Sequence, residues 1–268
     1  MIIDMDIEHS FAAILDILGF SNLVKNNSDE DIGLIFDNIL TNALETNLAY
    51  GHSQDRPGGG VEANLRHSKI NSLSIFDTVM LWTNDDKPES FMDLFAMLGD
   101  FVQDSFLVGL PLRGAVVEGP ITVKMEQRPA ASIVIKMRVV GKMQVYAHEL
   151  EASQSWSGCI FHPSALNHYE VMREKSKSTL PSIDNLRAHG HILNFKVPMK
   201  EGDSNYDTLN WTMNTRGNLD DTLDEGNVER PFRLWNRKPE SEREAERIDK
   251  IIANTKRYIN YARGRSNE

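Results

Sequence analysis

A buried strand is predicted by the stretch Phe11-Ala-Ala-Ile-Leu-Asp-Ile-Leu-Gly-Phe20, in which one carboxylate, that of Asp16, interrupts an apolar run. A second stretch, Ser72-Leu-Ser-Ile-Phe-Asp-Thr-Val-Met-Leu-Trp82, has the same character around Asp77. An ionised carboxylate inside an apolar strand loses its hydration, and it is tolerated where a cation or several hydrogen-bond donors replace the water. Two such positions in one chain suggest a shared metal ion.

The elements around these two strands follow from the spacing of apolar residues. The spacing predicts a strand over residues 6–17, a helix with apolar positions from 32 to 44, one strand or a hairpin over 70–83, a helix over 91–107 and a strand ending in a turn over 110–119. Strand, helix, two strands, helix, strand is the order of a split ferredoxin-like sheet with helices packed on one face. We therefore predict an α+β fold with a mixed, mainly antiparallel sheet.

The second half of the chain is less regular. The sequence predicts a glycine turn and a helix after residue 139, a strand over 158–162, a helix over 163–172 and a strand over 191–197. No regular pattern follows residue 198 until 241–262, where apolar residues recur at helical spacing. We therefore predict a main domain over residues 1–200 and a C-terminal extension over residues 201–268 that ends in a helix.

The composition excludes several classes of protein. With 268 residues and 40% hydrophobic content the chain can bury a substantial core, and its formal net charge of -10 argues against a nucleic-acid binder. No apolar run is long enough to span a membrane, and the residues from Met1 onward lack a secretory signal, so we expect a cytosolic protein with no membrane partner. The single Cys159 supports neither an internal disulfide nor a thiolate metal site.

The two aspartates have no His or Cys beside them, which favours magnesium or manganese over zinc. Magnesium usually completes its coordination shell with substrate phosphate, so a triphosphate is the simplest ligand to expect at this site. The turn Gly19-Phe20-Ser21 is a candidate phosphate-binding site, because backbone N–H groups at a helix start point at an anion. A P-loop is excluded, since no Gly-Lys-Ser/Thr follows Gly58-Gly59-Gly60. From these residues alone, a structural carboxylate pair or a glycosidase pair stays open.

Several segments resemble the class III nucleotidyl cyclases. Residues 11–21 are similar to the family's first metal motif, a strand ending in Asp-Ile-x-Gly-Phe-Ser/Thr, and residues 75–80 are similar to its second metal strand. Residues 113–119 resemble the Arg-x-Gly-Ile-x-x-Gly strand, and residues 141–150 fall where the family carries Gly-Asn-x-Val-Asn-x-Ala-x-Arg. Order and spacing agree over about residues 8–165. The resemblance implies the nucleotidyl cyclase fold for the main domain.

Departures from the family pattern indicate which group of class III cyclases the sequence resembles most. The position of the family's ribose-orienting Asn is Val145, and that of its transition-state Arg is Glu149. Residues 147–158, together with Leu112-Arg-Gly-Ala115, resemble the Pycsar pyrimidine cyclases of bacterial anti-phage defence. Those enzymes are homodimers with sites shared between subunits, and they convert UTP or CTP to a 3′,5′-cyclic mononucleotide that signals to a separate effector. The resemblance implies the same partners for this chain.

The resemblance also implies roles at the metal site. Asp16 and Asp77 are the expected catalytic residues, and they are expected to hold two divalent cations, Mn²⁺ or Mg²⁺, with help from the Ile17 carbonyl. The turn Gly19-Phe20-Ser21 is expected to bind the phosphates. Catalysis would then consist of positioning the nucleotide and neutralising the charge of its phosphates.

The positions that read the base in the resembled family are contributed by the partner subunit, and here they fall at Leu73 and Arg138. An Arg offers donors that match the carbonyl acceptors of uracil, whereas cytosine presents an amino donor that an Arg does not pair with. This difference favours UTP, with CTP as the alternative.

Two further functions remain compatible with the sequence. One is a non-catalytic nucleotide sensor, because loss of the family's Asn and Arg at Val145 and Glu149 is also what decay of an enzyme produces. The other is a purine cyclase with an unusual site. Retention of both aspartates argues against decay, because without metal they carry only an electrostatic penalty.

Overall fold

The structure is a computed structural model that describes residues 2–128, 134–214, 217–218 and 227–264. Its strands are β1 (Ile2–Ile17), β2 (Ser53–Asp55), β3 (Val61–Ala63), β4 (Ile70–Ile75), β5 (Thr78–Thr83), β6 (Leu112–Arg128), β7 (Val134–Val140), β8 (Gly158–Phe161), β9 (Ile192–Met199), β10 (Gly202–Leu209), β11 (Met213–Asn214) and β12 (Gly217–Asn218).

Helices cover most of the remaining described chain. They are α1 (Phe20–Asn26), α2 (Asp29–Gly33), α3 (Thr41–Leu48), α4 (Pro88–Leu107), α5 (Lys142–Ser153), α6 (Pro163–Ser176), α7 (Ile183–Ala188), α8 (Arg230–Arg233) and α9 (Glu242–Ala262). A π-helical segment, Leu34–Leu40, joins α2 to α3, and 3₁₀ turns lie at Leu65–His67 and Asn227–Glu229. No helix of the described residues is long and apolar enough to cross a bilayer.

Eight strands of the described chain form one sheet. Seven follow the order β4-β5-β1-β6-β8-β10-β9, and β7 pairs with β6 beside that path. The β6–β8 pair is parallel, and the other pairs in the sheet are antiparallel. The antiparallel order β6-β1-β5-β4, with helices in the connections, is the ferredoxin-like arrangement. The predicted α+β fold with a mixed, mainly antiparallel sheet is therefore confirmed, as is a hairpin over residues 70–83.

The main core lies between the sheet and the helices on one of its faces. Successive side chains of a strand point to opposite faces, and in β1 this places Phe11, Ala13 and Leu15 in the core that the sheet shares with α4. Ala12 and Ile14 face the other way, into a smaller apolar cluster that α5 covers. The main core thus lies on one face of the sheet, and a smaller apolar cluster lies on the other.

Two elements differ from the sequence prediction. Strand β6 does not end in a turn at Gly119 but continues to Arg128, because Gly119 lies opposite the register shift of β1 between Ile7 and Ser10 and marks a bulge. Strand β10 was not predicted, because its sequence lacks apolar alternation; its hydrogen bonds come from β8 and β9 on either side. The boundary predicted after residue 200 falls in the turn between β9 and β10.

The predicted terminal helix is confirmed as α9. Its apolar side contributes Ile251, Ile252, Tyr258 and Ile259 to the main core. The Tyr258 hydroxyl donates to the Leu209 carbonyl at 2.6 Å. Residues after 200 therefore pack directly against the sheet, and they also reach the edge where β1 ends.

Candidate active site

The side chains of Asp16 and Asp77 meet at one end of the sheet. Asp16 is the penultimate residue of β1 and pairs in register with Thr78 of β5. Asp77 precedes Thr78, and its backbone carbonyl accepts a hydrogen bond from the Ile17 N–H at 2.8 Å. The Asp77 carboxyl group is close enough to Asp16 to raise its pKa. Two residues that are remote in sequence are therefore neighbours, as the predicted metal site requires.

A strained turn presents Asp77 at this position. Ile75 pairs with Thr78, so Phe76 and Asp77 form a two-residue hairpin turn. Phe76 has a φ of +54°, a left-handed value that costs a residue with a side chain about 1 to 2 kcal/mol. Such turns usually carry glycine, and its absence is why the sequence left a continuous strand open. The Phe76 side chain is 81% exposed.

Arg113 holds the Asp16 carboxylate from the opposite side. It lies directly across from Asp16 on β6, and its Nη2 donates to Asp16 Oδ2 at 3.1 Å. Its Nε donates to Glu151 Oε1 at 2.6 Å, and its Nη1 donates to the carbonyl of Gln154 at 2.9 Å. The side chain of Glu151 is 3% exposed, so its charge depends on Arg113. Each nitrogen of the guanidinium thus donates to a partner within the chain.

Sequence reasoning missed Glu151, although a signal for it exists. Met143, Ala147 and Glu151 recur every four residues on the buried side of α5. A carboxylate on the apolar face of a helix is the same kind of anomaly as Asp16 in an apolar strand. The helical spacing therefore could have placed Glu151 beside the sheet.

The electrostatic surroundings of Asp16 leave a surplus of negative charge. Burial raises the pKa of Asp16 from 3.8 to about 6, the Arg113 guanidinium opposes this rise, and the charges of Glu151 and Asp77 add to it. Ionising this carboxyl group is therefore costly in the protein alone. A bound cation would remove that cost.

A cavity of about 260 Å³ opens beside the two carboxylates. It is lined by the predicted metal ligands Asp16, Ile17 and Asp77 and by the predicted phosphate-binding turn Gly19-Phe20-Ser21. Gly19 has a φ of +75°, which glycine adopts without strain, and α1 starts at the next residue. The structure thus brings these predicted residues to one cavity, while their metal-binding and phosphate-binding roles stay predictions.

The two predicted base-binding residues lie outside this cavity. Leu73 lines a separate groove of about 230 Å³, together with Met80 and Val139, on the face of the sheet to which Ile14 points. Arg138 is exposed on β7. Within one chain the structure does not bring either residue to the carboxylates.

The far wall of the cavity comes from residue 200 onward, to which the sequence assigned no role. The residues of this wall are Lys200, Phe232, Arg237, Glu244, Arg247, Ile248 and Ile251. Arg237 is the most enclosed of the charged ones, at 5% exposure, and burial lowers the pKa of its guanidinium to about 10. No motif or periodic spacing marks Arg237 in the sequence.

Comparisons with known proteins give a limited result. No protein-family model matches the sequence, and no curated protein matches it. Similar solved structures include the monomeric guanylyl cyclase domain of the RhoGC fusion protein from the aquatic fungus Blastocladiella emersonii, at 11% identity and a TM-score of 0.48, covering 77% of this chain and 97% of that one.

Two further solved structures are similar at the same level. The guanylate cyclase domain of RhGC from Catenaria anguillulae, in complex with GTP, has 12% identity and a TM-score of 0.44, with 76% of this chain and 97% of that one covered. A class III adenylyl cyclase-like ATP-binding protein from Pseudomonas aeruginosa has 13% identity and a TM-score of 0.41, with 62% and 35% covered. At these identities and TM-scores the likeness is one of fold.

Proposed function

We propose that this protein is a divalent-metal-dependent nucleotidyl cyclase. The observation that carries the proposal is the convergence of Asp16, Asp77 and the Gly19 turn on one cavity of a ferredoxin-like sheet. The raised pKa of Asp16 supports it, because even with Arg113 beside it this carboxyl group ionises at low cost only when a further cation is bound.

The residues around the cavity fit hard divalent cations. The donors at this place are oxygens, namely the Asp16 and Asp77 carboxylates and the Ile17 carbonyl, and no imidazole or thiol is found among the described lining residues. When bound, Mg²⁺ or Mn²⁺ ions supply charge neutralisation and acidify the ribose 3′-hydroxyl for in-line attack on the α-phosphorus.

The chain's own residues supply orientation. Arg113 fixes the Asp16 carboxylate, and Glu151 in turn fixes Arg113, which is the kind of support that outer groups give to metal ligands. Asp77 is fixed through its backbone, which pairs with Ile17. In the proposed enzyme the Gly19 turn offers backbone N–H groups to the phosphates.

We assign UTP as the substrate and 3′,5′-cyclic UMP and pyrophosphate as the products, with CTP and cyclic CMP as the alternative. The ribose-orienting Asn and the transition-state Arg of the resembled purine cyclases are replaced by Val145 and Glu149. Both are exposed on α5. Arg138 favours uracil, because its N–H donors match the carbonyl acceptors of that base. The cyclic product would act on a separate effector in anti-phage defence.

A homodimer is proposed because the resembled family contributes its base-binding residues from the partner subunit. Leu73 and Arg138 do not line the cavity of their own chain, which is consistent with this arrangement. We therefore propose that two chains share each site.

The proposed activity is tested by incubating the purified chain with each of the four nucleoside triphosphates and Mn²⁺, followed by assays of pyrophosphate and cyclic product. We expect cyclic UMP from the wild type and none from Asp16→Asn or Asp77→Asn. Asp37→Asn, which neutralises an exposed carboxylate on the π-helical segment, is the matched control and should stay active. Cyclic AMP or cyclic GMP as the main product would contradict the pyrimidine assignment.

A nucleotide sensor is the second candidate, because Glu149 stands where the resembled family has its transition-state Arg and Arg113 is held by Asp16, Glu151 and Gln154 within the chain. Binding of UTP with Mn²⁺ by calorimetry, with no product from any of the four nucleotides, would favour this function over the enzyme. A protein that sediments as a monomer at assay concentrations and has full activity would contradict the shared site.

A further inference from the structure

Arg237 follows a short segment that has a strained backbone and is held in place by hydrogen bonds. Trp235 and Asn236, directly before it, have φ values of +61° and +51°, and the left-handed conformation is costly for Trp235, whereas Asn adopts it more readily. The segment is tied down on both sides: Trp235 Nε1 donates to the Val108 carbonyl at 2.9 Å, and Asn27 Nδ2 donates to the Trp235 carbonyl at 2.6 Å. Strain that surrounding contacts maintain is a common mark of a functional position.

The guanidinium of Arg237 has one contact and one unused edge. Its Nη1 donates to the Leu18 carbonyl at 3.0 Å, and its Cδ lies beside Gly19, where an added Cβ would be 3.6 Å away. Its Nε and Nη2 are buried and have no hydrogen-bond partner among the described residues. These two nitrogens form one side of the planar fork, the side that can donate two parallel hydrogen bonds to a single anion.

An unpaired buried cation is expensive, since several kcal/mol of hydration is lost without compensation. A contact to one backbone carbonyl does not require a charged side chain. Arg237 lines the same cavity as Asp16 and Asp77 and lies beneath the Gly19 turn. An anion in the cavity would remove the cost, and a polyphosphate is the anion that a divalent-metal site brings with it.

We propose that Arg237 binds the β- or γ-phosphate of the nucleoside triphosphate through its Nε and Nη2 edge. This inference rests on the proposed function, because the triphosphate is the substrate proposed for this cavity. It gives residues after 200 a role in the site: they close the cavity and supply its phosphate-binding cation. The carboxylates lie on the metal side, and Arg237 lies on the side of the leaving pyrophosphate.

Inorganic tripolyphosphate with excess Mg²⁺ is the probe, and calorimetry and thermal shift are the measurements. Arg237→Met should weaken tripolyphosphate binding at least tenfold and raise the KM for UTP, with little effect on the affinity for UMP. Arg243→Gln, an exposed residue of α9, is the control and should behave as the wild type. Unchanged tripolyphosphate affinity in folded Arg237→Met would overturn the proposal.

Arg237→Lys is the second variant in case the methionine variant does not fold. It keeps the positive charge but loses the two-nitrogen edge, so we expect a smaller loss of tripolyphosphate affinity, and wild-type affinity would contradict the proposal. If the wild type makes no cyclic product but binds tripolyphosphate through Arg237, the cyclase function fails and this inference stands. If the wild type cyclises UTP and neither variant changes tripolyphosphate binding, this inference alone fails.

A second inference rests on an independent cluster, formed by His9 of β1, Glu118 of β6 and His168 of α6. One ligand atom from each lies within 4.8 Å of the others. His9 Nδ1 is 2.7 Å and His168 Nδ1 is 3.9 Å from Glu118 Oε1, and the two imidazole rings stack with centroids 5.0 Å apart. The cluster lies roughly 20 Å from Asp16, judged from the rise per residue of β1.

The tautomer of His168 follows from its other neighbour. His168 Nε2 is 2.8 Å from Asp86 Oδ2, so in the neutral imidazole Nε2 carries the hydrogen and Nδ1 presents its lone pair toward Glu118. This places an unprotonated nitrogen beside a carboxylate, an arrangement that a cation stabilises. A carboxylate behind a ligating histidine is also the usual support of a metal ligand.

We infer that His9, Glu118 and His168 form a transition-metal site that takes Zn²⁺, with water as the fourth ligand. Two imidazoles and a carboxylate suit zinc, unlike the all-oxygen cavity at Asp16. The ion would tie β1, β6 and α6 together, remote from the proposed active site.

Zinc binding is measured by competition with a chromogenic chelator in the presence of excess Mg²⁺, and by the visible spectrum of Co²⁺, which reports tetrahedral coordination. We expect one equivalent of zinc in the wild type and in Asp16→Asn, and at least a tenfold weaker affinity in His168→Ala and in Glu118→Gln. His189→Ala, at an exposed histidine after α7, is the control. Equal zinc affinity in the wild type and both cluster variants would refute the site.

Discussion

Replacing Asp16 by Asn should stabilise the metal-free protein while it abolishes turnover. The pKa of Asp16 is raised from 3.8 to about 6, chiefly by burial, against the effect of Arg113 and with added effects from Glu151 and Asp77. Above that pH the native state has to hold an ionised carboxylate in poor surroundings. Asn has the shape of the protonated acid and carries no charge, so the variant escapes this cost.

The size of the effect follows from the pKa difference between the unfolded and native states. A rise from 3.8 to about 6 corresponds to about 3 kcal/mol of unfolding free energy. The native state binds more protons than the unfolded state between about pH 4 and pH 6, so this contribution falls as the pH rises through that window. Asp16→Asn should therefore match the wild type below about pH 4 and exceed it by about 3 kcal/mol at neutral pH, which is roughly 5 °C in Tm for a chain of this size.

Urea unfolding and thermal scans in EDTA, at a series of pH values, measure this difference directly. Added Mn²⁺ should raise the Tm of the wild type and leave that of Asp16→Asn nearly unchanged, because binding to the native state alone stabilises it. Asp37→Asn is again the control for loss of one carboxylate. Equal stability of Asp16→Asn and the wild type at neutral pH, or a difference that persists at low pH, would refute the electrostatic account.

Three further perturbations have expected outcomes. Glu151→Gln should lower the pKa of Asp16, because the Glu151 charge raises it, and the acid limb of the activity profile should move to lower pH. Gly19→Ala should cost about 1 to 2 kcal/mol in urea unfolding because of its positive φ, whereas Gly33→Ala, at a helical φ with open space around it, should be neutral or stabilising. Phe76→Gly should raise the stability of the monomer by about 1 kcal/mol in the same assay, and a loss would show that the turn is not strained.

The carboxylate pair was predictable because each member breaks a strong local pattern. Asp16 and Asp77 are single charged residues within apolar strands, and the order of the first six elements then placed the two strands side by side. The hairpin turn was harder to predict, because Phe76 occupies a position where glycine is usual. Its conformation is imposed by the paired strands and not by the residue itself.

The rest of the cavity had no local signal of this kind. Strand β10 is polar, and it forms because β8 and β9 offer unpaired backbone groups on both sides. Arg237 is one of many basic residues in its region, and only the fold shows that it is 5% exposed and points beneath the Gly19 turn. Long-range contacts of polar residues do not leave a periodic pattern in the sequence, so such residues become visible only in the structure.

The distribution of charge in the cavity explains why these distant parts belong together. Asp16 and Asp77 carry negative charge that Arg113 offsets only in part, because Glu151 also draws on Arg113. Arg237 lines the same cavity, and two of its buried nitrogens have no hydrogen-bond partner among the described residues. A metal ion alone would satisfy the carboxylates and leave Arg237 unpaired, and a polyphosphate alone would pair with Arg237 and repel the carboxylates. A metal and polyphosphate bound together satisfy both walls, so each ligand should increase the affinity of the protein for the other.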